Sequence, residues 1–284
     1  MANDEAFTGE EALDPAAQLF HAQRLNCYIV TIVGFKTKIN PNVIKAGLEH
    51  TLLKHPLFCS KIKVDEKEGK EHEMDPDYAE DEKDGGARQN NNNIPESIRL
   101  RAIVFANIRP TAGIQAMAEM MKKGSKDKWG NEIGFVIVPL TIALHGDPLD
   151  YIERAKAKME RKKLSLEARC TFPFSNYVLK TFGVKAAAAL THTVFTNTTV
   201  AFSNVVGPLE EISFIGHPIA FLAPSIYGFP HAITIHCQSY VNKMTIILAV
   251  DPNVVPHPHQ LLDDIEESLQ LIKDAALKRR SSKI

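Results

Sequence analysis

The imidazole is the side chain most often used to move a proton near neutral pH, and this chain has eleven histidines. His231 and His236 fall on one predicted strand, His231–Tyr240. Residues five apart on a regular strand point to opposite faces, so these two cannot share a cleft without a bulge. One of them is expected in the core or at its rim. His145-Gly146-Asp147 sets a histidine beside an acid, but Asp147-Pro148 is also the start signal of a helix. His257-Pro258-His259 is followed by Asp263 and Asp264. Carboxylates near a helix start are favoured by the helix dipole, so these acids need no catalytic reason.

Other chemistries leave weaker traces. The basic loop Lys122-Lys123-Gly124-Ser125-Lys126-Asp127-Lys128 could meet the phosphates of a nucleotide-bearing co-substrate, or be a solvated loop. It lacks the glycine spacing of a phosphate-binding P-loop, and no G-x-S-x-G nucleophile elbow is present. The four cysteines, Cys27, Cys59, Cys170 and Cys237, are dispersed without a C-x-x-C pair. That pattern suits buried free thiols rather than a zinc site or a disulfide framework. No metal site is expected. One further constellation is a predicted strand end, Ser203-Asn204-Val205-Val206-Gly207-Pro208, followed by Pro230-His231-Ala232, Ser239-Tyr240 and Ala249-Val250-Asp251.

Several predicted elements must position these residues. Asp14-Pro15 and Asn40-Pro41 each give a cap followed by proline at the first helical position, the second opening a helix to about Lys54. Tyr28–Lys36, Phe58–Val64 and Leu100–Asn107 read as strands. Ile114–Met121 reads as a short helix, and Ile133–Leu144 as a buried strand interrupted at Pro139. A helix follows Asp147-Pro148 to about Lys163 with a basic outer face, and Phe174–Phe182 and Lys185–Phe195 are further helices. Thr198–Asn204 is a strand, Ile212–Phe221 a small hairpin around Gly216, and His231–Tyr240 pairs with Met244–Val250 across a turn at Val241-Asn242-Lys243. His259–Leu277 forms the last helix, with one apolar stripe. Strands and helices mix without strict alternation, so the class is α/β or α+β with a mixed sheet.

Charge and composition set further bounds. The formal net charge is -1, which argues against a nucleic-acid partner. Between Glu66 and Asp84 lie ten acidic and three basic residues with almost no large apolar side chain, so residues 66–94 are expected to form a disordered acidic linker. The N-terminus is acidic and reads as neither a signal nor a transit peptide. The apolar runs are shorter than the ~20 residues of a membrane-spanning helix, so any membrane contact is expected to be peripheral.

The stretches SNVVGPLEEISFIGHPI, APSIYGFPHAITIHCQSYVNKMTIILAVD and PHPHQLLDDIEESLQLIK resemble the C-terminal domain of the plant wax ester synthase/diacylglycerol acyltransferase family. NIRP, KGSKDKWGNEIGFVIVPL and AKMERKKLSLEA fit the same family in the same order, so the likeness runs from about Ile94 to the end. The segment from Ala12 to Ile62 resembles the start of the family. The resemblance implies a coenzyme-A-dependent acyltransferase fold, like that of chloramphenicol acetyltransferase, in which two α/β halves flank a channel. It implies acyl-CoA as co-substrate, with no other cofactor, and a fatty alcohol or diacylglycerol as acceptor. The family's general base is a histidine of an H-H-x-x-x-D-G motif, which takes the proton of the acceptor hydroxyl at about 3 Å.

This sequence has no His-His pair, and its Asp84-Gly85 is preceded four residues earlier by Glu80. Set against the family, the segment that would hold the base is missing between about Asp65 and Asn90, and no catalytic residue carries over. The resemblance therefore divides the chain into a remnant of the N-terminal half (1–65), the linker (66–94), a C-terminal acyltransferase domain (95–277) and a basic tail (278–284). It implies a channel wall at Asn204, Gly207, Pro208, Ser239 and Tyr240; with acyl-CoA as co-substrate, Lys122, Lys123 and Lys126 of the basic loop are the candidates to meet its phosphates. It also implies a location at the endoplasmic reticulum or plasma membrane. Little or no activity is expected of the chain alone; the alternative is a non-catalytic, acyl-lipid-binding or regulatory partner of a full-length relative.

Overall fold

The computed structural model describes residues 13–54, 98–109 and 132–282. The strand expected at Phe58–Val64, the acidic linker, the helix at Ile114–Met121 and Lys122, Lys123 and Lys126 lie outside these residues. The chain divides into two compact units, one of residues 1–9 and 39–95, the other of residues 10–38 and 96–284. In the first, Asn40 caps helix α2 (Pro41–His50) by accepting from the Asn42 N–H, and a 3-10 turn, Leu52–Lys54, follows.

The second unit holds the remaining elements. Helix α1 (Pro15–His21) starts at Asp14, whose carboxylate accepts from the Ala16 and Ala17 N–H groups. Strand β1 (Tyr28–Phe35) pairs antiparallel with β6 (His217–Tyr227), which also pairs with the short β5 (Ser213–Phe214). Residues 13–38, part of the segment that resembles the start of the family, lie in one unit with the C-terminal elements. The second sheet is mixed and five-stranded. Its order is β3 (Ile133–Ile142), β2 (Ile98–Asn107), β4 (Val200–Val205), β7 (Ile233–Tyr240), β8 (Lys243–Val250). β4 runs parallel to β2 and to β7, and the two outer pairs are antiparallel. Helices α3 (Pro148–Leu164), α4 (Glu167–Thr196) and α5 (Pro258–Ser281) complete it. The class is α/β with a mixed sheet and helices.

Pro139 does not interrupt its strand; β3 runs through it. The reason lies at the sheet's free edge. The Phe135 N–H donates to Thr171 Oγ1 at 3.0 Å and the Ile137 N–H to Glu167 Oε1 at 2.8 Å, both from α4. Alternate residues of a strand share one edge, so the next outward position is 139, where proline has no N–H to satisfy. Helix side chains and a proline thereby close an edge that would otherwise template another strand. Gly134 lets α4 come this close, since a Cβ there would lie 2.1 Å from the Ala168 carbonyl oxygen.

Helix α4 is two helical arms broken at Gly183, whose φ of 80° suits glycine. Its first arm starts at Glu167, seven residues before the expected Phe174, with Pro173 on the exposed side. Val178, Leu179, Ala187, Ala188 and Phe195 turn inward from the two arms and meet Ile103 and Ala201 of the sheet. Leu19 and Leu25 close this core. Among the described residues, no helix is long and apolar enough to cross a membrane.

Candidate functional site

The strand ends singled out in the sequence come together at the tips of β4 and β7. Past β4, the Gly207 N–H donates to Ser239 Oγ at 3.0 Å. The Val241 N–H donates to the Pro208 carbonyl at 2.7 Å. That bond holds a β-branched residue at φ 55°, a strained value for valine. Tyr240 is buried, and its hydroxyl accepts from the Ile212 N–H at 3.0 Å. Gly207 is buried against β7, where a Cβ would lie 1.9 Å from the Ser239 carbonyl oxygen and 2.4 Å from Gln238 Nε2. Asn204 lies opposite Cys237 in the parallel register and is exposed. Four of the five residues thus form a latch tying two strand tips together, and their polar atoms find partners within the protein.

The two histidines of this region are both buried but occupy separate environments. β7 begins at Ile233, so His231 precedes the strand and the strand-parity argument does not govern it. Its ring sits against Phe195 and Phe229, with centroids 5.4 and 5.6 Å away. His231 Nε2 and Thr198 Oγ1 are 2.8 Å apart, and Thr198 Oγ1 also donates to the Phe195 carbonyl at 2.8 Å. With the threonine proton directed at that carbonyl, His231 donates from Nε2. Nδ1 is then the bare nitrogen, buried without a partner among the described residues. Burial pushes its pKa down to about 4. His236 Nε2 accepts from the Ile226 N–H of β6 at 3.3 Å, which places its proton on Nδ1. Burial lowers the pKa of His236 as well.

Among the described residues neither imidazole is hydrogen-bonded to a carboxylate. His145 is half-buried and packs at a tilt against Tyr151, while Asp147 caps α3 by accepting from the Leu149 N–H. Asp263 and Asp264 lie exposed on the first turns of α5. Cys27, Cys170 and Cys237 are free thiols, and burial raises Cys27 to about 11. Among the described residues no group of three or more His, Cys, Asp or Glu could hold a metal. A cavity of about 80 Å³ lies between the arms of α4 and is lined by Phe135, Thr171, Phe174, Val178, Leu190 and Val194, none of them from the strand-tip latch.

Two features escaped the sequence reading. The Thr198–His231 pair joins residues thirty-three apart, and no spacing rule signals it. The capping of the β3 edge by Thr171 and Glu167 had no signal in the sequence, where Pro139 reads as an interruption of the strand.

Residues 129–273 match the sequence model of the WS/DGAT C-terminal domain. The chain belongs to the wax ester synthase/diacylglycerol acyltransferase family. It is 51% identical over 212 residues to wax ester synthase/diacylglycerol acyltransferase 6 of Arabidopsis thaliana, covering 73% of this chain and 41% of that protein. It is 53% identical over 205 residues to wax ester synthase/diacylglycerol acyltransferase 5 of the same plant, covering 72% and 40%. The chain therefore spans about two fifths of the length of these relatives. A solved wax ester synthase/diacylglycerol acyltransferase from Marinobacter aquaeolei VT8 is similar at 19% identity and a TM-score of 0.37, covering 64% of this chain and 38% of that one.

Proposed function

We propose that this chain belongs to the transfer of acyl groups from acyl-CoA to a fatty alcohol or a diacylglycerol, and that by itself it turns over slowly or not at all. Its family membership supports the first part. The observation that carries the second is the state of the two buried imidazoles. A general base needs a free ring nitrogen within about 3 Å of the acceptor hydroxyl and a pKa near the working pH. His236 spends its unprotonated nitrogen on the Ile226 N–H. His231 keeps a bare nitrogen, but walled by phenylalanines and with its pKa depressed to about 4. The sequence offers no His-His pair in their place.

In this reading Asn204, Gly207, Pro208, Ser239 and Tyr240 line the channel wall, the last four also holding the strand tips together. Lys122, Lys123 and Lys126 meet the phosphates of the acyl donor. Titration with a thioether analogue of palmitoyl-CoA tests the donor site. Saturable binding is expected, weakened about tenfold or more by Lys122→Glu, Lys123→Glu and Lys126→Glu together. Absent binding, or binding indifferent to these changes, would remove the assignment. Copurification with a full-length relative would favour the second reading, a non-catalytic partner, toward which the exposed Ile29, Val30 and Ile32 of β1 point.

A further inference from the structure

The surface where α3 leads into α4 combines three features. The first is its charge. Residues 148–182 contain eight Lys and Arg against four Asp and Glu, an excess of basic side chains in a chain whose formal net charge is -1. The second is exposed apolar bulk at the helix junction and along the first arm of α4. Leu164 is 87% exposed, Leu166 64%, Phe174 58%, Tyr177 60% and Phe182 64%. The third is how these side chains are arranged. Arg169, Pro173, Tyr177 and Lys180 follow one another at helical spacing and are all exposed, with Phe174 beside them. Thr171, Val178 and Leu179 turn toward the sheet instead.

An apolar and aromatic centre flanked at both ends by cations fits the boundary of a lipid bilayer. Aromatic rings settle at the level of the headgroups, and Arg and Lys extend to anionic phosphates. Chemical contrast within the same unit sharpens the choice of partner. The first half of α5 presents Asp263, Asp264, Glu266 and Glu267 to solvent, so an anionic surface would meet the α3–α4 face and be repelled from α5.

We infer that the α3–α4 face is a docking surface for a membrane bearing anionic lipids. The first arm of α4 lies along the interface, with Phe174 and Tyr177 entering the headgroup layer between Arg169 and Lys180. This inference rests on charge, exposure and helical spacing and is independent of the acyl-transfer reading.

The test is flotation of the full chain with vesicles of phosphatidylcholine, alone or mixed with phosphatidylserine. The protein is expected to float with the mixed vesicles, to float less as salt is raised, and to stay behind with phosphatidylcholine alone. Two double variants divide the contributions: Phe174→Ser with Tyr177→Ser removes the rings, and Arg169→Glu with Lys180→Glu reverses the flanking charge. Each is expected to reduce flotation at least tenfold. All four side chains are exposed, so unchanged circular dichroism and thermal unfolding will show that the variants fold. The inference is overturned by wild-type protein that floats with neither vesicle, by equal flotation with both, or by flotation that survives both double variants. It is also overturned if light scattering shows a dimer that Phe174→Ser with Tyr177→Ser turns into a monomer, which would make this face a protein interface.

Discussion

Gly207→Ala is expected to lower the urea unfolding midpoint strongly, and Ser239→Ala to lower it only slightly. The alanine methyl would arrive 1.9 Å from the Ser239 carbonyl oxygen and 2.4 Å from Gln238 Nε2. A backbone carbonyl, here accepting from Gln238 Nε2 at 3.0 Å, cannot swing away as the end of a flexible side chain can. The tips of β4 and β7 must separate, and the Val241–Pro208 bond that closes the latch is strained with them. Overpacking of this kind costs about 3 kcal/mol or more, a large fraction of the ~5–15 kcal/mol that holds a domain together. Ser239→Ala loses only the bond from the Gly207 N–H, a cost of about 1–2 kcal/mol. Urea unfolding of the two variants against the parent checks the order. Equal midpoints for Gly207→Ala and the parent would show that the strand tips are not held as described.

The second large effect concerns acid. His231 in the unfolded chain titrates near 6.5, and in the folded protein burial lowers this to about 4. Above pH 6.5 the ring is neutral in both states and stability does not respond to it. As pH falls from 6.5 toward 4, the unfolded chain takes up a proton that the folded ring refuses, so stability falls. The full loss is of the order of 3 kcal/mol for a group this buried. His236, lowered for the same reason, adds in the same direction. Urea midpoints measured at about pH 7 and about pH 4.5 are expected to show the drop, and His231→Gln to flatten it while keeping a donor for Thr198. A variant that loses stability with acid as steeply as the parent would mean that His231 is protonated in the folded state.

Local signals were the most legible part of this chain. Asp14-Pro15, Asn40-Pro41 and Asp147-Pro148 each mark a helix start, and each aspartate or asparagine makes the expected cap bond. The hairpins around Gly216 and Val241-Asn242 stand at the turns the sequence marks. Long-range pairings had no such signal. The packing of β1 on β6 joins residues roughly two hundred positions apart, which no local period encodes. The histidines show the same limit at the site. Spacing on a strand can say which face a side chain takes, but His231 precedes the strand, and its surroundings are fixed by the end of α4. Gly207 and Tyr240 were legible as special positions, while the contacts that occupy them, Ser239 and Ile212, came from the folded chain alone.

Release of free CoA from palmitoyl-CoA, followed with a thiol reagent in the presence of hexadecanol or diacylglycerol and the purified chain, bears most directly on the low-turnover reading. With both buried rings bound into the fold, release is expected to run roughly 10²–10⁴-fold or more below that of an enzyme that keeps its base. Rapid, acceptor-dependent release that disappears in His231→Gln or His236→Gln would contradict it, since one of these rings would then be reaching the acceptor.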